Sequence, residues 1–279
     1  MSVQPTIRVR GLVKSYGGVE AVRGIDFDVL PGEVFGLLGP NGAGKTTTVE
    51  ILEGYRPRDG GEVSVLGVDP WRADGDHRER IGVVLQHSEL PATLSVREVH
   101  RMFAGYYRAP RAVDEVIELV GLAHKAAARV KTLSGGQKRR LDLGIALVGD
   151  PELVFLDEPT TGFDPTARRT AWELVRSLRS LGKTILLTTH YLDEAQQLAD
   201  RVAVLVAGEI VKLGRPSELT ASARAEIRYR RDGELVVAQA EDPTQALREL
   251  TAESGVEILE VRRPSLEDVY LALLDEGTP

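Results

Sequence analysis

Polar and apolar residues alternate first along the chain. TIRVRGLVKSY (6–16) and GIDFDVL (24–30) both show the two-residue period of half-buried strands and are separated by turn signals, which predicts an antiparallel β portion at the start. EVFGLLG (33–39) breaks the alternation with an apolar run that stops at glycine. It reads as a buried strand, and KTTTVEILEG (45–54) after it reads as a helix ended by Gly54. GEVSVLGV (61–68) and RIGVVLQ (80–86) are further strands. From 88 to 149 the spacing becomes helical, with Val113, Val116, Ile117 and Val120 on one face and Gly121 as the stop.

Apolar strands return in ELVFLDE (152–158) and KTILLTTH (183–190). Between them Ala171, Leu174, Val175, Leu178 and Leu181 recur at helical spacing before Gly182. Strand, helix, strand predicts a right-handed crossover and a parallel sheet. RVAVLVAGEIVKLG (201–214) follows as a hairpin-like pair, and the pattern resets near Ala221. EIRYRR and ELVVAQA flank Asp232-Gly233 as a hairpin, DPTQALREL is a capped helix, VEILEVR a strand, and SLEDVYLALL a last helix with Ser265 and Asp268 near capping-box spacing. The expected domains are 1–221, with a helical subdomain at about 88–149, and a small β/α domain at 222–279.

Composition narrows the function classes. A chain of 279 residues, 42% hydrophobic, 28% charged and 5% aromatic, is that of an ordinary α/β protein. No apolar run approaches the roughly 18 to 20 residues that span a bilayer, and MSVQPTIRVR lacks a signal-peptide core, so a cytoplasmic location is expected. Zero cysteines exclude disulfides and thiolate metal sites. A net charge of −7 argues against a mainly nucleic-acid-binding surface, and Lys138-Arg139-Arg140 reads as a solvated helix face.

The chemistry gathers at strand ends. Gly39-Pro40-Asn41-Gly42-Ala43-Gly44-Lys45-Thr46-Thr47 follows a strand and opens a helix, the context that makes a glycine loop a phosphate cradle. Backbone N–H groups would wrap the phosphates, Lys45 would bridge their oxygens, and the Thr46 hydroxyl would ligate Mg²⁺. Asp157 ends an apolar strand and is expected to hold Mg²⁺ directly or through water. Glu158 comes next, and because successive strand residues point oppositely, it is expected to face an attacking water. His190 and Gln86 also end strands, His190 as a phosphate donor and Gln86 as a contact to Mg²⁺ or water. Taken alone, Gln86 would read as a surface residue. A second glycine-rich helix start, Ser134-Gly135-Gly136-Gln137, could also bind an anion.

With LSGGQ (133–137) added, this set in this order resembles the nucleotide-binding subunit of an ATP-binding-cassette (ABC) transporter. GPNGAGKTT is its Walker A, Gln86 its Q-loop glutamine, LVFLDE its Walker B and His190 its switch histidine. The resemblance implies the ABC cassette of P-loop NTPases: a parallel core sheet, an antiparallel β subdomain and a helical subdomain, with the C-terminal β/α domain appended. It implies ATP and Mg²⁺ as cofactors, and ATP hydrolysis in which Glu158, His190 and Gln86 take part. Tyr16 in KSYGG matches the aromatic that stacks on adenine, and Asp164 in TGFDP matches the D-loop aspartate of the dimer contact; Phe163 departs from the small aliphatic often found there. In this family two cassettes pair head to tail, each signature capping the ATP of the other's Walker A. The expected partners are therefore a second copy and a separate membrane permease, at the cytoplasmic membrane face, with no nucleic acid. The tail RRPSLEDVYLALL resembles that of ABC-2-type exporters, including daunorubicin-resistance-type drug exporters and lipid or polysaccharide systems.

Two other classes compete. A non-transport cassette ATPase acting on DNA or ribosomes resembles proteins with zinc cysteines, long coiled-coil insertions or two cassettes, none of which occurs here. A nucleotide-gated module without turnover is disfavoured by the intact Glu158 and His190.

Overall fold

The computed structural model describes residues 4–84, 89–221, 225–253, 255–262 and 265–276. β1 (Ile7–Tyr16) and β2 (Val19–Val29) pair antiparallel around Gly17 and Gly18, both at positive φ, from Ile7 opposite Val29 to Tyr16 opposite Val19. β2 begins at Val19 and not at Gly24, because the two glycines close a tight hairpin that zips up residues with no alternation of their own. β3 (Val34–Leu38) is buried at every position and leads into α1 (Lys45–Leu52). β4 (Gly60–Val65) returns antiparallel to β1 and completes the order β2-β1-β4.

After α2 (Gly75–Glu79) and β5 (Ile81–Val84), the middle of the chain contributes α3 (Val96–Ala104), α4 (Val113–Leu119) and α5 (Gly135–Leu147). β6 (Leu153–Asp157), α6 (Pro165–Ser180), β7 (Thr184–Thr189), α7 (Leu192–Leu198), β8 (Arg201–Val206) and β9 (Glu209–Gly214) complete a second sheet, ordered β5-β6-β7-β3-β8-β9. It is parallel except for the β8/β9 hairpin. Both faces are covered, which explains the unbroken apolar runs. Val34, Val154, Leu156, Ile185 and Leu187 face α3, α4 and α5, while Phe35, Leu37, Phe155 and Leu186 face the first sheet and α1.

α8 (Pro216–Ala221) precedes a third, antiparallel sheet of β10 (Ala225–Arg231) and β11 (Glu234–Ala240), crossed by α9 (Pro243–Ala252) to β12 (Val256–Arg262), ordered β11-β10-β12. α10 (Leu266–Glu276) turns back: Leu266 and Tyr270 pack with Ala195, Val202, Val204 and Leu219. The Ser265 hydroxyl accepts the Asp268 N–H at 3.2 Å while the Asp268 carboxylate accepts the Ser265 N–H at 2.7 Å, the reciprocal pair expected of a capping box. No helix among the described residues is long and apolar enough to cross a membrane.

This topology positions the chemistry. β3, β6 and β7 are parallel neighbours, so Gly39, Asp157 and His190 leave the same carboxyl edge of the sheet.

Candidate active site

β3 ends against a loop that only glycine can build at two positions. A Cβ on Gly39 would stand 2.3 Å from the Leu205 carbonyl oxygen, and one on Gly44 2.3 Å from that of Ala21, with Gly44 at φ +102°. Gly44 is the N-cap of α1 and offers no side chain, so the helix opens uncapped on a bare backbone cradle fitted to phosphate. Lys45 is buried, and its ammonium donates to the carbonyls of Gly39 at 2.7 Å and Pro40 at 3.1 Å. Burial lowers its pKa, and the charges of Glu158 and Asp157 oppose that shift. Asn41, Gly42 and Thr46 are exposed, Pro40 and Thr47 half-buried, and Ala43 buried.

Asp157 and Glu158 diverge, but not by the pleat of a strand. Asp157 is the last residue of β6, whereas Glu158 lies beyond it with φ +45°, a left-handed turn uncommon for any residue but glycine. Thr188 on β7 ties the two: its hydroxyl donates to Asp157 Oδ1 at 2.5 Å and accepts the Glu158 N–H at 3.0 Å. Glu158 Oε1 lies 3.1 Å from His190 Nδ1 and 3.7 Å from the Lys45 ammonium, and Oε2 accepts the Thr161 hydroxyl at 3.1 Å. Burial would raise the carboxyl pKa, but the His190 hydrogen bond and charge, the Thr161 hydroxyl and Lys45 outweigh it, so Glu158 sits below the usual value and is ionised at neutral pH. Lys45, Asp157, Glu158 and His190 thus form one cluster.

Among the described residues, no group of three or more His, Cys, Asp and Glu side chains could hold a metal alone. The Thr46 hydroxyl and Asp157 carboxylate instead supply hard oxygens of the kind Mg²⁺ takes one or two at a time, sharing the ion with phosphates and water. Gln86 lies outside the described residues.

The second glycine-rich start is built differently. Ser134 caps α5, accepting the Gln137 N–H at 3.3 Å while the Gln137 side chain accepts the Ser134 N–H at 3.0 Å. A Cβ on Gly135 would meet nothing within 4 Å. Residues 134–137 line an open cleft of about 1230 Å³ together with Glu158, Thr161, Phe163 and Asp164. Asp164 caps α6 by accepting the N–H groups of Thr166 and Ala167, each at 2.9 Å. Phe163 also borders a small apolar pocket with Leu143, Leu174 and Val175. Among the described residues, the phosphate loop does not line the cleft.

Tyr16, at the end of β1, is 39% exposed, with the Arg56 guanidinium 5.2 Å and the Lys14 ammonium 5.5 Å from its ring centre. Thr188 and Thr161 were not singled out by sequence reasoning. Thr188 is one of two adjacent threonines at the end of β7 that meets the site, after the apolar run Ile185–Leu187, a signal that could have found it.

Residues 22–161 match the family model described as ABC transporter. Nod factor export ATP-binding protein I of Rhizobium meliloti (strain 1021) is 43% identical over 298 aligned residues, covering 97% of this chain and 89% of the relative. The protein of that name from Paraburkholderia xenovorans (strain LB400) is 48% identical over 214 residues, covering 75% and 70%. Among solved structures, cbiO1 from Clostridium perfringens, part of the ABC transporter complex cbiONQ, superposes with a TM-score of 0.72 at 29% identity, over 78% of this chain and 91% of that one. An ATP-binding subunit of an ABC transporter shares the fold over 96% and 99% of the two chains, with a TM-score of 0.73 at 23% identity.

Proposed function

The chain belongs to the ABC transporter family, and from that premise we propose that it works as one of two head-to-tail copies sharing two ATP sites. It is an ATP-binding and ATP-hydrolysing subunit that acts with a membrane permease in export. In the proposed site, Tyr16 stacks on the base and Lys45 contacts the phosphates. Thr46 and Asp157, with Gln86, hold Mg²⁺, which offsets phosphate charge when bound. Glu158 takes the proton of the attacking water, and His190 orients the Glu158 carboxylate through its hydrogen bond at 3.1 Å. Ser134, Gly135, Gly136 and Gln137 close the site of the other copy, with Asp164 at the contact between copies.

The observation that best supports this reading is the cleft itself. The α5 start and Asp164 open into it beside Glu158, which lies 3.7 Å from Lys45 of the same chain, and the phosphate loop itself is not among its lining residues. We further propose that the chain sits at the cytoplasmic membrane face through its permease and that the system is of the ABC-2 export type. The relatives' names speak of Nod factor export, and the cargo here is set by the permease.

Lys45→Ala and Glu158→Gln test the assignment of roles. Lys45 makes contacts already present in the bound state, so Lys45→Ala weakens ATP affinity. Glu158 acts on water in the transition state, so Glu158→Gln keeps affinity and lowers turnover by about 10²-fold or more. Near-normal turnover in Glu158→Gln removes it from the role of base.

A further inference from the structure

Arg139 stands in a run of three basic residues on α5, two positions past Gln137. Unlike a solvated lysine or arginine it turns inward. Its Nε donates to the Pro159 carbonyl at 3.2 Å and its Nη2 to the Asp157 carbonyl at 2.9 Å. Those two carbonyls lie on either side of Glu158, the residue held at φ +45°. Left-handed backbone at a non-glycine residue costs about 1 kcal/mol or more and persists only where the surroundings fix it. A planar guanidinium with donors on two edges holds both neighbours of such a residue in one fixed plane, a rigidity that the rotatable ammonium of a lysine does not provide. Burial lowers the pKa of this half-buried guanidinium, and the charges of Asp142, Asp157 and Glu194 oppose that shift.

We propose that Arg139 is a positioning residue that ties the start of α5 to the turn carrying Glu158 in the same chain. The inference rests on the head-to-tail reading, and under it the tie links two sites. The α5 start of one chain completes the site of its neighbour, while Glu158 of that chain serves the other site. Seating of a phosphate on Ser134–Gly136 is thereby passed through Arg139 to the base of the opposite site. Misplacing a catalytic group by about 1 Å can cost on the order of 10²-fold in rate.

Differently tagged heterodimers with one site silenced by Glu158→Gln separate the possible roles, read by single-turnover hydrolysis and by ATP affinity. In the first arrangement one chain carries Arg139→Gln and its partner Glu158→Gln, so the live site uses the base of the altered chain. In the second, one chain carries both changes and the partner none, so the live site uses only its signature. The expected result is a loss of roughly 10-fold or more in the first at unchanged affinity, and a rate within about 2-fold of the control in the second. Equal losses in both, or a loss only in the second, overturn the proposal. Arg139→Lys, which keeps the charge and N–H donors but loses the planar fork, should restore part of the first rate, and it serves in both arrangements should Arg139→Gln fold poorly. Ser134→Arg in the same two arrangements tests the underlying reading by itself. If the sites are composite, its damage appears in the second arrangement; damage in the first alone refutes composite sites whatever Arg139 does.

Discussion

The two glycine-rich helix starts of this chain are built on opposite principles. At α1 the glycines are walled in: Gly39 and Gly44 each lie against a backbone carbonyl of another strand or loop, the helix has no side-chain cap, and the lysine that follows is buried. At α5 the start is capped by its own serine and glutamine, and Gly135 faces open space. The first is finished by its own fold, whereas the second is a finished piece of surface. Similar short motifs therefore carry different information, one about how the chain packs and the other about what must come to it.

Glycine replacement should separate the two most sharply. Gly44→Ala forces a Cβ to 2.3 Å from a carbonyl oxygen at φ +102° and should cost about 3 kcal/mol or more, read by denaturant unfolding, with ATP affinity falling alongside. A loss under about 1 kcal/mol would break the contrast.

The next effect lies at the far end of α1. Burial, and then the charges of Asp157 and Glu50, push the Glu53 carboxyl up to about 8, so it is neutral in the folded protein at pH 7. The unfolded chain releases that proton near 4.5, so stability falls as pH rises from about 4.5 to about 8 and is unaffected below that window. Glu53→Gln, which cannot ionise, should therefore stabilise the protein by up to about 4 kcal/mol at pH 8 and by almost nothing at pH 4. Equal stability change at both pH values would refute the buried neutral carboxyl.

Gly135→Ala completes the series. Its Cβ meets nothing in the chain, so stability should stay within about 0.5 kcal/mol of the parent. Turnover should nevertheless fall about 10-fold, because the added methyl stands where a neighbour's phosphate approaches. Unchanged turnover at unchanged stability would leave the α5 start without a ligand.

Much of this was legible in the sequence for physical reasons. β3, β6 and β7 announce themselves because both faces are buried, and a parallel sheet then carries their last residues to one edge. The hairpin at Asp232-Gly233 and the cap at Ser265 also follow from local chemistry. What was hidden depended on tertiary contacts. The change of direction between Asp157 and Glu158 reads in the sequence as strand alternation, yet Glu158 lies in a left-handed turn contacted by Thr188 and Arg139. Arg139 passed for a solvated basic residue, although it lies four positions before buried Leu143 and so on its face of α5. α6 starts at Pro165, six residues before its apolar stripe, because Asp164 caps it there.

The central claim is that each site is shared between two chains, and complementation between two damaged copies tests it most directly. Lys45→Ala and Ser134→Arg each damage both sites of a homodimer. In a mixed dimer, confirmed by tagged pull-down, both lesions fall in one site, and the other joins an intact phosphate loop to an intact α5 start. The account predicts that ATP binding and single-turnover hydrolysis return in the isolated mixed dimer to about half the parent amplitude, one site of two. Proven heterodimers that recover neither would contradict it, since sites built within single chains leave no intact combination.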